Sequence, residues 1–183
     1  DVYSIEIEKQ DNGIELNIEI TSEHFTKLKE IRRNLTGRTG CGLCGAESLS
    51  QAMRIPKIQT SNHQFDSKNI LKALEIFSKN QILQKKTGAT HASALCQNNG
   101  IIKITREDVG RHIALDKLIG ASLKDEVTED SFVITSSRAS YEMVQKIAHL
   151  NLKLLVAISA PTGLAIRLAE NLGITLIGFA RES

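Results

Sequence analysis

A chain of 183 residues with 41% hydrophobic and 24% charged residues has the balance of a globular protein, and its length fits one domain, since single domains run from about 50 to 250 residues. No apolar run approaches the roughly 20 residues of a membrane-spanning helix, and a net charge of +2 is too small to draw in nucleic acid by bulk electrostatics. The three cysteines, Cys41, Cys44 and Cys96, are neither paired in number nor dense as in a secreted disulfide scaffold, which points to a reducing cytoplasm.

The chain opens at Asp1 without an initiating Met or the segments of a signal peptide. It stops after Phe179-Ala180-Arg181-Glu182-Ser183, just past an apolar run, so both ends read as cut. Tyr3, Ile5 and Ile7 alternate with polar residues, as do Ile14, Leu16, Ile18 and Ile20, and Asp11-Asn12-Gly13 between them predicts a β-hairpin. From Ser22, the expected N-cap, Phe25, Leu28, Ile31 and Leu35 recur at helical spacing up to about Gly37. Thr36 to Gly45 is glycine-rich and reads as a loop.

Asp66 caps a second expected helix carrying Ile70, Leu71, Leu74 and Phe77. Ala92–Leu95 and Ile101–Thr105 flank Asn98-Asn99-Gly100 and predict another hairpin. Beyond it helices and apolar strands alternate: a helix over 109–119, a strand over 132–135, a helix over 139–150, a strand over 154–158, a helix over 164–172 and a strand over 174–179. That order predicts an α/β domain with a parallel or mixed sheet.

Thr39-Gly40-Cys41-Gly42-Leu43-Cys44-Gly45 is the most informative stretch. Glycines around two cysteines suit a thiol that must move between a donor and an acceptor, and Arg38 would favour the nucleophilic thiolate. Other readings stand beside this one. A structural zinc site wants about four ligands and only one C-x-x-C is present; a thioredoxin-like dithiol would follow a strand rather than a helix; and loop cysteines can be without function. Cys96, in a hairpin strand, reads as a small buried apolar residue.

Polar residues gather where strands meet helices. His91 opens a strand after a small, flexible segment, and Arg106–His112 is a charged cluster at a strand-to-helix junction. Thr135–Ser140 sets hydroxyls and Arg138 at a helix start, chemistry suited to phosphate, and Ser159–Gly163 repeats the arrangement. Arg181 follows the last strand. If the three C-terminal strands are parallel, their tips share one edge and form an anion-binding crevice.

The motifs T-G-C-G-L-C-G, T-H-A, R-E-D-V-G-R-H-I-A-L-D-K-L-I-G, S-S-R-A-S-Y-E-M-V and S-A-P-T-G-L-A, in order from about Cys41 to Arg181, resemble the formate dehydrogenase accessory sulfurtransferase family, FdhD. The resemblance implies a cytidine-deaminase-like, three-layer α/β/α fold with a mixed sheet, here with an N-terminal hairpin, in one domain over residues 1–183, and a homodimer. It implies a sulfur carrier that takes persulfide sulfur from a cysteine desulfurase and passes it to the molybdenum bis(molybdopterin guanine dinucleotide) cofactor of formate dehydrogenase. Cys41 matches the persulfide residue and Cys44 its partner. The cofactor-binding segment falls on Phe179, Ala180, Arg181, Glu182 and Ser183, with the segments that usually precede and follow this stretch missing. From their strand-tip placement, Arg138 is expected at a pyrophosphate and Asp108 at the guanine edge. A chaperone that binds the cofactor without transferring sulfur is the alternative. No resident zinc, nucleic acid or membrane partner is expected. Deamination would need H-x-E and P-C-x-x-C, and His112-Ile113-Ala114 and Ser137-Arg138-Ala139-Ser140 supply neither.

Overall fold

The structure, a computed structural model, describes residues 2–11, 13–32, 64–123, 127–128 and 130–181. Where the sequence reading drew one domain, chain contacts define two compact units, Asp1–Met53 and Arg54–Ser183.

In the first unit β1 (Val2–Gln10) and β2 (Gly13–Ile20) pair antiparallel, and Gln10 faces Gly13 across the two-residue turn that the Asp-Asn-Gly signal predicts. The register sets Ile5 opposite Ile18 and Ile7 opposite Leu16. Period-two geometry therefore gathers the aliphatic residues on one face of the ribbon and Glu6, Glu8, Glu15 and Glu19 on the other. Helix α1 (Ser22–Arg32) follows. Its cap is Thr21 rather than Ser22: Thr21 Oγ1 accepts from the His24 backbone N–H at 3.4 Å, the three-residue reach a capping hydroxyl needs. The expected continuation to Gly37 lies outside the described residues.

The second unit runs α2 (Ser67–Asn80), α3 (Ile82–Thr87), β3 (His91–Cys96), β4 (Ile102–Asp108), α4 (Arg111–Ser122), β5 (Phe132–Thr135), α5 (Tyr141–His149), β6 (Leu154–Ala157), α6 (Gly163–Asn171) and β7 (Thr175–Ile177). Its five strands lie in the order β4-β3-β5-β6-β7. β3 is antiparallel to both neighbours, and β5, β6 and β7 are parallel. The sheet is thus mixed, with a single reversed strand.

Strand alternation divides the core into two layers. Ala92, Ala94, Cys96, Phe132, Ile134, Leu154 and Val156 face α2, which covers them with Ile70, Ala73, Leu74 and Phe77 at i, i+3, i+4 and i+7, while Leu71, read from the sequence as part of this face, is only partly buried against it. Burying Ile70, Leu74 and Phe77 contributes roughly 1.5–3 kcal/mol each. Leu95, Val133 and Leu155 face the other way, against Leu115 and Leu118 of α4, Val144 and Ile147 of α5, and Leu168 of α6. The crossovers β5-α5-β6 and β6-α6-β7 cover that one face, as same-handed connections between adjacent parallel strands must. The result is the expected three-layer α/β/α sandwich.

Several local boundaries depart from expectation: β4 runs on to Asp108 rather than Thr105, and β7 ends at Ile177 rather than Phe179. Helix α4 starts at Arg111 rather than Val109, because β4 stays paired through Asp108, opposite His91, and the first turn closes on the Gly110 carbonyl. Helix α3 was not anticipated at all. Its leading N–H groups, on Leu83 and Gln84, donate to the Glu107 carboxylate of β4 at 2.9 and 2.8 Å, a cap supplied from the neighbouring strand.

Candidate functional site

The reversed direction of β3 gathers the polar motifs on one edge. The last residues of β4, β5, β6 and β7 all point there, and β3 begins there with His91. The loops after β5, β6 and β7 carry Ser136 to Arg138, Ile158 to Pro161 and Gly178 to Arg181 across the same rim. The strand tips share one edge, as expected, at the position where open α/β sheets bind ligands.

Two cavities open on this edge. One, of about 380 Å³, has an apolar wall of Leu74, Phe77, Ile158 and Ala180, with Arg181 on its rim. The other, of about 360 Å³, is lined by Gln84, Gly88, Ala89, Thr90 and His91. Gln81 and Ser136 line both, so the cavities adjoin. Each is of the size of an ordinary small-molecule site.

The polar groups on this double cavity are partly committed. Ser136 Oγ accepts the Ala92 backbone N–H at 2.9 Å, which holds the loop after β5 against the start of β3. Its hydroxyl proton meets no acceptor among the described residues. The Gln84 side-chain Oε1 accepts the Thr90 backbone N–H at 2.8 Å, fixing the turn before β3. Gln81 stands at the break between α2 and α3, with φ −84° and ψ 77°, and its Nε2 donates to the Phe77 carbonyl at 3.3 Å. His91 is held below the ordinary histidine pKa, first by burial and then by the nearby Arg111 charge. It is neutral near pH 7.

The expected cofactor residues divide. Arg181 lies on the rim of the first cavity and Ala180 is buried in its floor, while Phe179, exposed on the same loop, lines neither cavity. Phe179 holds a left-handed backbone, φ 54°, and is 63% exposed. An exposed aromatic in a conformation that non-glycine residues rarely adopt is held there by its surroundings: Phe179 N–H donates to Ser159 O at 3.2 Å and Ala180 N–H to Ala157 O at 3.0 Å. The Arg181 guanidinium donates to the carbonyls of Ile158 and Ala180, tying the last loop to the tip of β6. Arg138 is exposed at the approach to α5. Glu182 and Ser183 lie outside the described residues, as do Cys41, Cys44 and the glycine-rich loop.

Asp108 sits at the rim end of β4 but lines neither of these cavities. Its Oδ1 accepts the Gly110 N–H at 2.9 Å and its Oδ2 is paired with Lys117. The Lys117 hydrogen bond, followed by the Gly110 N–H, holds its carboxyl below the ordinary aspartate pKa. Both oxygens thus serve the turn into α4. His112, on the first turn of α4, lies 3.3 Å from Glu142 of α5, and Lys146 bridges Glu142 and Asp116 at 2.9 and 2.8 Å. The R-E-D-V-G-R-H motif therefore builds the β4–α4 junction and the α4–α5 contact. Cys96 is fully buried, and burial pushes its thiol pKa far up, the inert small residue expected. Gln81 and Gln84 were missed from sequence, since a glutamine near a helix end carries no signal of its own. Ser136 was flagged with its motif, and the structure gives it its neighbours.

Comparison with known proteins places this architecture. The model of the FdhD/NarQ family matches residues 1–183. A protein of Cupriavidus necator named Sulfur carrier protein FdhD is 51% identical over 182 residues, 99% of this chain and 63% of the relative. One of the same name from Xanthomonas euvesicatoria is 46% identical over 183 residues, 100% of this chain and 65% of the relative. This chain therefore spans less than two thirds of the length of either relative. A crystal structure from Desulfotalea psychrophila, described as that of a formate dehydrogenase accessory protein, superposes with a TM-score of 0.65 at 19% identity, over 98% of this chain and 93% of that one; at that identity the likeness concerns the fold. With the family model matched from end to end and relatives at about half identity, the chain belongs to the FdhD/NarQ family.

Proposed function

We propose that the chain carries sulfur as a persulfide on Cys41 and hands it to a molybdenum bis(molybdopterin guanine dinucleotide) cofactor bound by the crevice, in the service of a formate dehydrogenase. The observation that carries this reading is the double cavity on the sheet edge. Its apolar wall of Leu74, Phe77 and Ile158 suits a planar base, while the hydroxyls and Arg138 at the approach to α5 suit a phosphate. Phe179, exposed on the loop after β7, offers a face for a second ring. The names of the curated relatives support the sulfur-carrying half.

Loading needs no oxidant. The Cys41 thiolate attacks the outer sulfur of a desulfurase cysteine persulfide, the donor S–S bond breaks, and a new S–S bond forms on Cys41 while the donor leaves as a thiolate. Once the acceptor is in place, attack by Cys44 on the Cys41 sulfur of the loaded persulfide would close a Cys41–Cys44 disulfide and release hydrosulfide to it, and a thiol reductant would return both cysteines to thiols. The test incubates the protein with a cysteine desulfurase and free cysteine and weighs it intact. The wild type and Cys44→Ser gain sulfur, whereas Cys41→Ser does not. An unloaded wild type that still supports full maturation of formate dehydrogenase would sink the transfer reading in favour of a cofactor-binding chaperone.

A further inference from the structure

Asp108, the carboxylate best placed in sequence to read a guanine edge, has both oxygens occupied by its own chain. The crevice holds another acceptor. We infer that Gln81 is the residue that selects the base: its Oε1 accepts from the N1–H and 2-amino edge of guanine, and the same oxygen disfavours adenine. This rests on the reading of the crevice as a guanine nucleotide site.

The orientation of the carboxamide follows from its bonds. Nε2 donates to the Phe77 carbonyl at 3.3 Å. Turning the amide over would set two oxygens against each other, so the network fixes which end faces away. No donor among the described residues reaches Oε1, and the residue lines both cavities. An amide oxygen has two lone pairs and no proton to give. It accepts from guanine, which presents two donors along this edge, but meets the bare N1 lone pair of adenine.

The rest of the site complements guanine in the opposite sense. The Ser136 hydroxyl already accepts from Ala92 N–H and has its proton free to give. Gln84 has its oxygen bonded to Thr90 and keeps its amide N–H groups. Guanine sets the O6 acceptor beside two donors, N1–H and the 2-amino group, so the Gln81 oxygen meets the two donors while a proton from Ser136 or Gln84 is available to O6. Gln81 can hold this position because it sits where α2 breaks, anchored by its own side chain to the preceding turn.

The test titrates guanosine, inosine and adenosine diphosphates into the wild type, Gln81→Leu and Gln81→Met. The wild type should bind GDP at least about tenfold more tightly than ADP, with the inosine nucleotide between them, since one neutral hydrogen bond is worth about a factor of ten. Gln81→Leu should lose about that factor for GDP alone and leave ADP unchanged. Gln81→Met, of similar length and without the acceptor, should lose the guanine preference in the same way, and it covers the case in which the leucine variant fails to fold. A purely structural role for Gln81 would weaken all three nucleotides together. An unchanged GDP-to-ADP ratio in Gln81→Leu or in Gln81→Met overturns the assignment while leaving the nucleotide site standing. A wild type that binds none of the three overturns the site and the assignment with it.

Discussion

Pro161 stands against Gly178: a Cβ built on the glycine would lie 2.5 Å from the proline Cδ. No real Cβ is found so near a ring carbon, so the loops after β6 and β7 can meet only if residue 178 has no side chain. This contact sets the backbone that delivers Phe179 and Arg181 to the rim. Gly178→Ala should force the two loops apart and destabilise the fold by about 1–3 kcal/mol, the usual cost of an overpacked site. A lowered thermal midpoint with weakened nucleotide binding is the expected result, and an unaltered midpoint would show that the loops give way freely.

Phe179 should behave in the opposite way. Its φ of 54° is a strain that glycine does not feel, and its ring is 63% exposed, so little burial is lost on removing it. Phe179→Gly is expected to hold or raise stability, the relief of about 1–2 kcal/mol of left-handed strain being offset by the greater freedom of the unfolded glycine. Binding of a guanine nucleotide should fall. Thermal melts paired with titrations test the two effects separately, and a glycine variant both less stable and fully competent in binding would contradict this account.

Cys96 offers a clean internal control. Buried at 0% exposure, with its thiol held protonated, it should resist alkylation in the native protein and react only on unfolding. Peptide mapping after brief native labelling should find the reagent on Cys41 and Cys44 and none on Cys96. Cys96→Ala should leave sulfur loading intact.

His91 makes stability depend on pH in a definite direction. Burial, then the Arg111 charge, depress its folded pKa, whereas the unfolded chain protonates it near about 6.5. Between those two values the unfolded state binds more protons, so this contribution is full above about pH 6.5 and is lost as pH falls toward the folded pKa. The wild type should therefore lose more stability than His91→Gln between about pH 7.5 and about pH 5.5. Denaturant midpoints at the two values measure it, and equal losses would rule His91 out as the source.

Much of the fold was legible because it is written locally. The alternation of Ile14, Leu16 and Ile18, the Asp66 cap, and the apolar runs at Phe132–Thr135 and Leu154–Ala157 each state their structure within a few residues. Helix α3 could not be read that way. Its leading N–H groups are satisfied by Glu107, 23 and 24 positions further along the chain, and no window around Ile82 contains that partner. The site divides similarly. Strand tips and motifs pointed to Ser136, Arg138 and Arg181, but Asp108 read as a free carboxylate because Lys117, nine residues on, comes within reach only once α4 folds back along β4. Gln81 acquires its meaning only from the break between α2 and α3.

One reversed strand decides who can meet at the rim. Had β3 run alongside its neighbours, His91 and the Thr90 turn would lie at the far end of the sheet, about 17 Å away for a six-residue strand. The glutamines of the α2–α3 corner would then face a bare slab of aliphatic side chains. The antiparallel pairing is thus the topological reason that residues from before and after the middle of the chain line the same pair of cavities.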